Sequence, residues 1–182
     1  MRHKNIFRSI LLIISIFLIT SCSNNSAMKP EDFKNKEPRL IIEEYLTGNV
    51  KAWGVLQNRS GKVTRQFSAD LDGTWDGKQL ILKEKFNWDD GEVQNREWTI
   101  NKINENNYEG RAGDVVGKAI GYSYGPAFKF EYVLLVPVKG KEMKITFDDW
   151  IFKQDDRVAI NRATMTKFGI KVAELTVVFV KD

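Results

Sequence analysis

Turn residues recur along this chain and leave connections between the candidate strands too short for a helical crossover, and that constrains the fold more than any other feature. Asn58-Arg59-Ser60-Gly61, Asp76-Gly77, Asp89-Asp90-Gly91, Asn104-Glu105-Asn106-Asn107, Lys139-Gly140-Lys141 and Gln154-Asp155-Asp156 all read as turns. Glycine supplies the positive φ of a tight reversal, and asparagine and aspartate bond their own backbone there. Between the turns lie segments rich in Trp, Tyr, Phe, Val, Ile and Thr, giving candidate strands 50–57, 62–74, 79–88, 92–103, 107–112, 115–124, 127–137, 142–153, 157–167 and 170–180. Strands joined so closely pair with their sequence neighbours. The predicted fold is all-β: a single antiparallel up-and-down β-barrel of about 8–10 strands, closed so that no edge is exposed, with a two-sheet sandwich as the alternative. A short N-terminal helix is predicted over Pro38–Leu46, with proline at its start, an apolar stripe of Leu40, Ile41, Tyr45 and Leu46, and Gly48 beyond its end.

The first residues are of another kind. Arg2, Lys4 and Arg8 precede the apolar run Ile10–Ile19, after which come Thr20, Ser21 and Cys22. The run is about half the roughly 20 residues a spanning helix needs, and its order of charge, apolar core and small residues is that of a secretory signal. Cysteine at the end of such a signal reads as the lipidation point of a bacterial lipoprotein. Residues 1–21 are therefore predicted to be a signal peptide, 22–36 a polar tether beginning at lipidated Cys22, and 37–182 the barrel domain. A diacylglyceryl thioether and an N-terminal acyl group would hold the chain at a membrane without crossing it, each buried methylene contributing about 0.8 kcal/mol. Ser23, which is not aspartate, resembles the pattern exported to outer membranes. The predicted location is the bacterial cell envelope, with the domain on the periplasmic side of the outer membrane.

Composition narrows the chemistry. The formal charge of +4 includes Arg2, Lys4 and Arg8, so the processed chain carries about +1, with both signs interspersed. No basic face for nucleic acid is expected. His3 is the sole histidine and Cys22 the sole cysteine, so histidine triads, histidine-rich zinc sites and an intramolecular disulfide are absent from the processed domain. Asp70-Leu71-Asp72-Gly73 lacks the spacing of a calcium loop, and Gly110–Gly117 lacks the Gly-Lys-Ser/Thr ending of a phosphate loop. No catalytic residue, metal or cofactor is implied.

Breaks in strand alternation mark the candidate site. In Leu80–Trp88 the even positions are apolar except Glu84, and a three-residue turn at Asp89–Gly91 sets Glu84 opposite Arg96, which shares its face with Trp98 and Ile100. Such a pair either forms an internal salt bridge or orients a polar ligand group, with Arg96 meeting an anionic head. A second cluster is predicted from Asp148 and Trp150, on one strand face, and Arg162 on the neighbouring strand, with Asp149 pointing oppositely. Phe128, Phe130 and Tyr132 line one face of a further strand, and Trp75, Trp88, Trp98 and Trp150 stand at others; these rings either fill a small core or line a cavity.

Several separated motifs occur in an order that resembles the bacterial lipoproteins catalogued as domain of unknown function 3833: Ala52-Trp53-Gly54, Arg59-Ser60-Gly61-Lys62-Val63, Asp89-Gly91-Glu92 around the hairpin, Asp114-Val115-Val116-Gly117-Lys118-Ala119, Phe147-Asp148-Asp149-Trp150 and Lys167-Phe168-Gly169. The resemblance runs from Tyr45 to Lys181 and implies an exported, lipid-attached identity, but no activity. The barrel is loosely similar to calycin and lipocalin ligand carriers. The leading functional expectation is noncatalytic binding of a hydrophobic or amphipathic small molecule, with Glu84, Arg96, Asp148 or Arg162 orienting its polar end. A structural or assembly role through an envelope protein partner is the alternative, followed by an enzyme.

Overall fold

In the computed structural model, which describes residues 27–138 and 140–182, ten antiparallel strands close into one barrel. They are β1 (Gly48–Asn58), β2 (Val63–Trp75), β3 (Gln79–Trp88), β4 (Val93–Lys102), β5 (Asn107–Arg111), β6 (Ala119–Tyr124), β7 (Ala127–Val138), β8 (Lys141–Lys153), β9 (Val158–Lys167) and β10 (Ile170–Lys181). Each strand pairs with its sequence neighbour, and β1 pairs with β10 from Val50↔Lys181 to Asn58↔Ala173. That last pairing excludes a sandwich and leaves no free edge. The predicted up-and-down barrel is thus observed, at the upper end of its strand number. The predicted signal peptide and Cys22 lie outside the described residues.

Three local departures shape the interior. β6 starts at Ala119 because the preceding residues run along β7 instead: Val115 bridges Leu134, the Val116 N–H donates to the Val133 carbonyl at 2.8 Å, and the Leu135 N–H donates to the Asp114 carbonyl at 2.9 Å. This loop completes the wall where β5 and β6 are short. The helix is a single turn, α1 (Ile42–Tyr45), rather than Pro38–Leu46. It starts late because Leu40 is held extended against β6 and its turn, its N–H donating to the Gly125 carbonyl at 2.8 Å and its carbonyl accepting from Ser123 Oγ at 2.9 Å. The predicted tether is not free along its whole length. Pro30–Phe33 forms a 3-10 turn, and the Phe33 ring packs on the outer faces of Trp150 and Phe152 at 5.9 and 5.6 Å, because an aromatic ring in a polar segment gains by covering apolar surface.

α1 closes one end of the barrel. Leu40, Ile42, Tyr45 and Leu46 are buried, and the Tyr45 hydroxyl donates to the Arg157 carbonyl at 2.9 Å. Glu43 enters with them, which is tolerable because Tyr108 Oη donates to it at 2.9 Å and Lys102 Nζ pairs with it. Gly73 leaves room for this plug, since a Cβ there would stand 1.9 Å from the Leu46 carbonyl oxygen. At the other end the wall thins: Leu56, Trp88, Gln94, Met165 and Leu175 are only half-buried. The barrel is a cup with a floor and a mouth.

Candidate functional site

The cup encloses a cavity of about 290 Å³. Its size and lining follow from period-2 alternation, which sends one residue in two inward. Phe67 and Phe86 meet edge to face at 5.2 Å, Trp98 stands 5.2 Å from Phe130 and 5.3 Å from Tyr132, and Tyr132 stacks on Phe147 at 5.0 Å. Glycines in the wall seat these rings: a Cβ at Gly54 would meet the Phe67 ring at 2.3 Å, and one at Gly110 the Phe130 ring at 2.4 Å. With Ala52 as a small lining residue, the rings leave open volume instead of filling it.

Polar groups interrupt this apolar wall at one level. Glu84 on β3 lies opposite Arg96 on β4, as the hairpin register predicts, with Arg96 Nη1 3.9 Å from Glu84 Oε2. The closer partner of Arg96 is Asp114 from the β5–β6 loop: Asp114 Oδ2 accepts from both Nε at 3.1 Å and Nη2 at 2.7 Å. Asp149 on β8 accepts from the Tyr132 hydroxyl at 2.9 Å on one oxygen and from Asn161 Nδ2 on the other. At this level, among the described residues, Glu84, Asp114 and Asp149 therefore face one guanidinium, that of Arg96. Toward the mouth, Arg65 pairs with Asp90 and Glu92 at 2.7 and 2.8 Å and lies 4.0 Å over the Trp88 ring.

The interior disfavours negative charge. Burial pushes the Glu84 carboxyl up to about 7, with the charges of Asp149 and Asp114 adding to the rise and Arg96 and Trp98 opposing it. Asp149 is raised as well, again by burial first, against its bonds from Asn161 and Tyr132. Tyr132 is held well above the usual phenol range by burial and by the charge of Asp149. Among the described residues, no group of His, Cys, Asp and Glu side chains converges to hold a metal ion.

Residues 16–181 match the family described as protein of unknown function, DUF3833. The chain belongs to this family. The match extends the Tyr45–Lys181 resemblance toward the N-terminus. In fold, the DUF3833 chain is similar to the S-type phycobiliprotein lyase of Guillardia theta, with a TM-score of 0.58 and 11% identity over 77% of this chain and 90% of that one. It is also similar to a protein of unknown function from the DUF3598 family of Nostoc punctiforme, with a TM-score of 0.57 and 12% identity over 81% of this chain. Only 51% of that second protein is covered. These likenesses support the barrel fold and speak to fold alone. No curated protein matches the chain.

Of the six residues predicted for an internal polar cluster, the DUF3833 barrel brings three together: Glu84, Arg96 and Trp98 all line the cavity. Asp148, Trp150 and Arg162 do not join them. Asp148 lies 3.4 Å from Lys129, whose Nζ is 5.4 Å above the Trp150 ring, and the Arg162 side chain is 67% exposed beside Glu174. All three belong to the outer face, and the correction follows from the pleat. Ile145, Phe147 and Ile151 face inward, so Asp149 goes with them, while Trp150 is buried from outside by Phe33. The missed interior residues are Asp114, Asp149 and Asn161. For Asp149 and Asn161 the alternation of β8 and β9 carried the signal; for Asp114 nothing local did, because a loop supplies it.

Proposed function

We propose that this barrel is a noncatalytic binding protein for a small amphipathic molecule, held at the cell envelope by lipid on Cys22. The observation that carries the reading is the aromatic-lined cavity with a floor, a thinner mouth and one polar level. Its about 290 Å³ lies at the lower bound of the roughly 300–1,000 Å³ of small-molecule sites, which suits one compact ring system or short chain and not a whole two-chain lipid. The noncatalytic part of the reading is supported by the absence of histidine and cysteine from residues 23–182 and by the engagement of both Asp149 oxygens. The anchor rests on the charge, apolar run and cysteine at the N-terminus.

A second reading, docking of an envelope protein, draws on the outer face. Trp53 and Val178 lie opposite each other across β1 and β10 and are 50% and 37% exposed. Native mass spectrometry of the full chain, isolated gently from its host's envelope, separates the two readings. The binding reading predicts a stoichiometric small molecule released on denaturation, and a polypeptide mass that begins at acylated Cys22. A chain that retains its fold, carries no small molecule and holds a protein instead favours docking, and an unmodified cysteine contradicts the anchor.

A further inference from the structure

We propose that the cavity grips its ligand by a hydrogen-bond-donating nitrogen, a protonated amine or a ring or amide N–H, seated between Glu84 and Asp114. The proposal rests on the binding reading above and names the ligand class. It reverses the sequence expectation that Arg96 meets an anionic head.

The argument is one of spent and unspent capacity. A guanidinium has five N–H donors in a fixed fork. In Arg96, Nε and Nη2 are committed to Asp114 Oδ2, and Nη1 faces Glu84 at 3.9 Å. The Tyr132 hydroxyl and the Asn161 amide are committed to Asp149. The fully buried atoms left without a hydrogen-bond partner at this level, among the described residues, are both acceptors, Glu84 Oε2 and Asp114 Oδ1. Both residues line the cavity. A buried acceptor left unpaired is costly, so a ligand that donates to it removes a penalty as well as adding a bond. A ligand carboxylate, phosphate or sulfate would instead add negative charge beside three carboxylates balanced by one guanidinium, and would compete with Asp114 for Arg96.

The fully buried donors without a partner lie elsewhere among the described residues. Trp88 Nε1 and Arg65 Nε are buried without partners at the mouth. Trp88 is four residues along β3 from Glu84, on the same face, or about 13 Å at the usual rise of a strand. The orientation follows: nitrogen inward between Glu84 and Asp114, any acceptor outward toward Trp88 and Arg65.

Three probes with one naphthalene body test this: 2-(1-naphthyl)ethylamine, 2-(1-naphthyl)ethanol and 1-naphthylacetic acid, each titrated calorimetrically at pH 8 into the wild-type chain and the Glu84→Gln variant. The amine is expected to bind at least about tenfold tighter than the acid, with the alcohol between, and Glu84→Gln is expected to shrink the amine-to-acid ratio by about tenfold, the size of one charge-assisted hydrogen bond. Glu84→Gln keeps the side chain's shape and leaves Arg96 its bonds to Asp114, so the variant folds. Binding of the alcohol together with equal or tighter binding of the acid, or an amine-to-acid ratio unchanged by Glu84→Gln, overturns the proposal while the binding reading stands. A barrel that takes none of the three overturns both.

Discussion

Replacing Arg96 by leucine is expected to destabilise the barrel by about 3–5 kcal/mol at pH 8, the usual consequence of removing one partner from a buried ionic cluster. The substitution keeps apolar bulk beside the Phe86 ring, 5.8 Å from the guanidinium carbon, so the loss is electrostatic. It leaves Asp114, which takes two bonds from Arg96, and Glu84, whose side chain is 12% exposed, without a counter-charge in the wall of the cavity. Urea unfolding followed by circular dichroism measures the change. Two further results identify the cause. The loss should shrink at pH 5, where Glu84 is protonated, and the double variant Arg96→Leu/Glu84→Gln should recover at least about 1 kcal/mol relative to the single one. A pH-independent loss, with no recovery in the double variant, would assign Arg96 to packing alone.

Glu84→Gln is expected to act in the opposite direction, by an amount that grows as pH rises above about 4.5 and is nearly complete by about 7. The Glu84 carboxyl titrates near 7 in the folded chain against 4.5 as the ordinary value. The folded state therefore holds this proton more tightly than the unfolded state, and stability contributed by Glu84 declines as pH rises from about 4.5 through about 7, then levels off. At 1.36 kcal/mol for each unit of difference, the decline amounts to about 3 kcal/mol. A neutral glutamine does not titrate, so Glu84→Gln should match the wild type near pH 4.5 and exceed its stability by up to about 3 kcal/mol at pH 8. The groups facing Glu84 are Arg96, Asp114, Asp149, Tyr132 and Trp98, and Asp149 shifts in the same direction. Comparing the two chains at each pH isolates Glu84 from that background. Equal stabilities at pH 8 would mean that Glu84 is hydrated and its charge well solvated. A binding site that retains a costly carboxylate is expected when function uses the charge.

The barrel itself was legible because each of its signals is local. Asp89–Gly91 closes a three-residue turn, so the register Glu84↔Arg96 follows by counting, and the same reasoning yields nearly every strand boundary. The β1–β10 closure was legible only indirectly, through the avoidance of open edges. Where the reading of the site fell short, the controlling contact is distant in sequence. Trp150 is large and apolar and so looked interior, but its cover is Phe33, 117 positions earlier, and without that contact its face cannot be assigned from size alone. Asp114 lies in a glycine-flanked stretch that reads as an ordinary loop, and only the shortness of β5 and β6 draws it into the wall beside Arg96. The expectation that Arg96 grips an anion had the same origin: counting one cation against Glu84 omits two further carboxylates that arrive from a loop and from β8. Charge balance in a cavity is a sum over all its walls, and hairpin registers supply only part of it.

Titration of the chain with the fluorescent probe N-phenyl-1-naphthylamine asks whether the barrel interior takes up a small amphipathic molecule. Saturable binding of one probe per chain, with a blue shift in emission, is expected. Ala52→Phe, which projects a ring into the cavity, should weaken binding at least about tenfold, the value of a lost apolar contact of a few methylene equivalents. Val177→Phe, from the neighbouring strand β10, should do the same, so that one folded variant suffices, with folding checked by circular dichroism. Trp150→Phe, on the outer face under Phe33, should leave binding unchanged. Absence of saturable binding, or binding that survives both cavity-filling substitutions and is lost in Trp150→Phe, would overturn the cavity as the binding site and move the functional surface to the outside of the barrel.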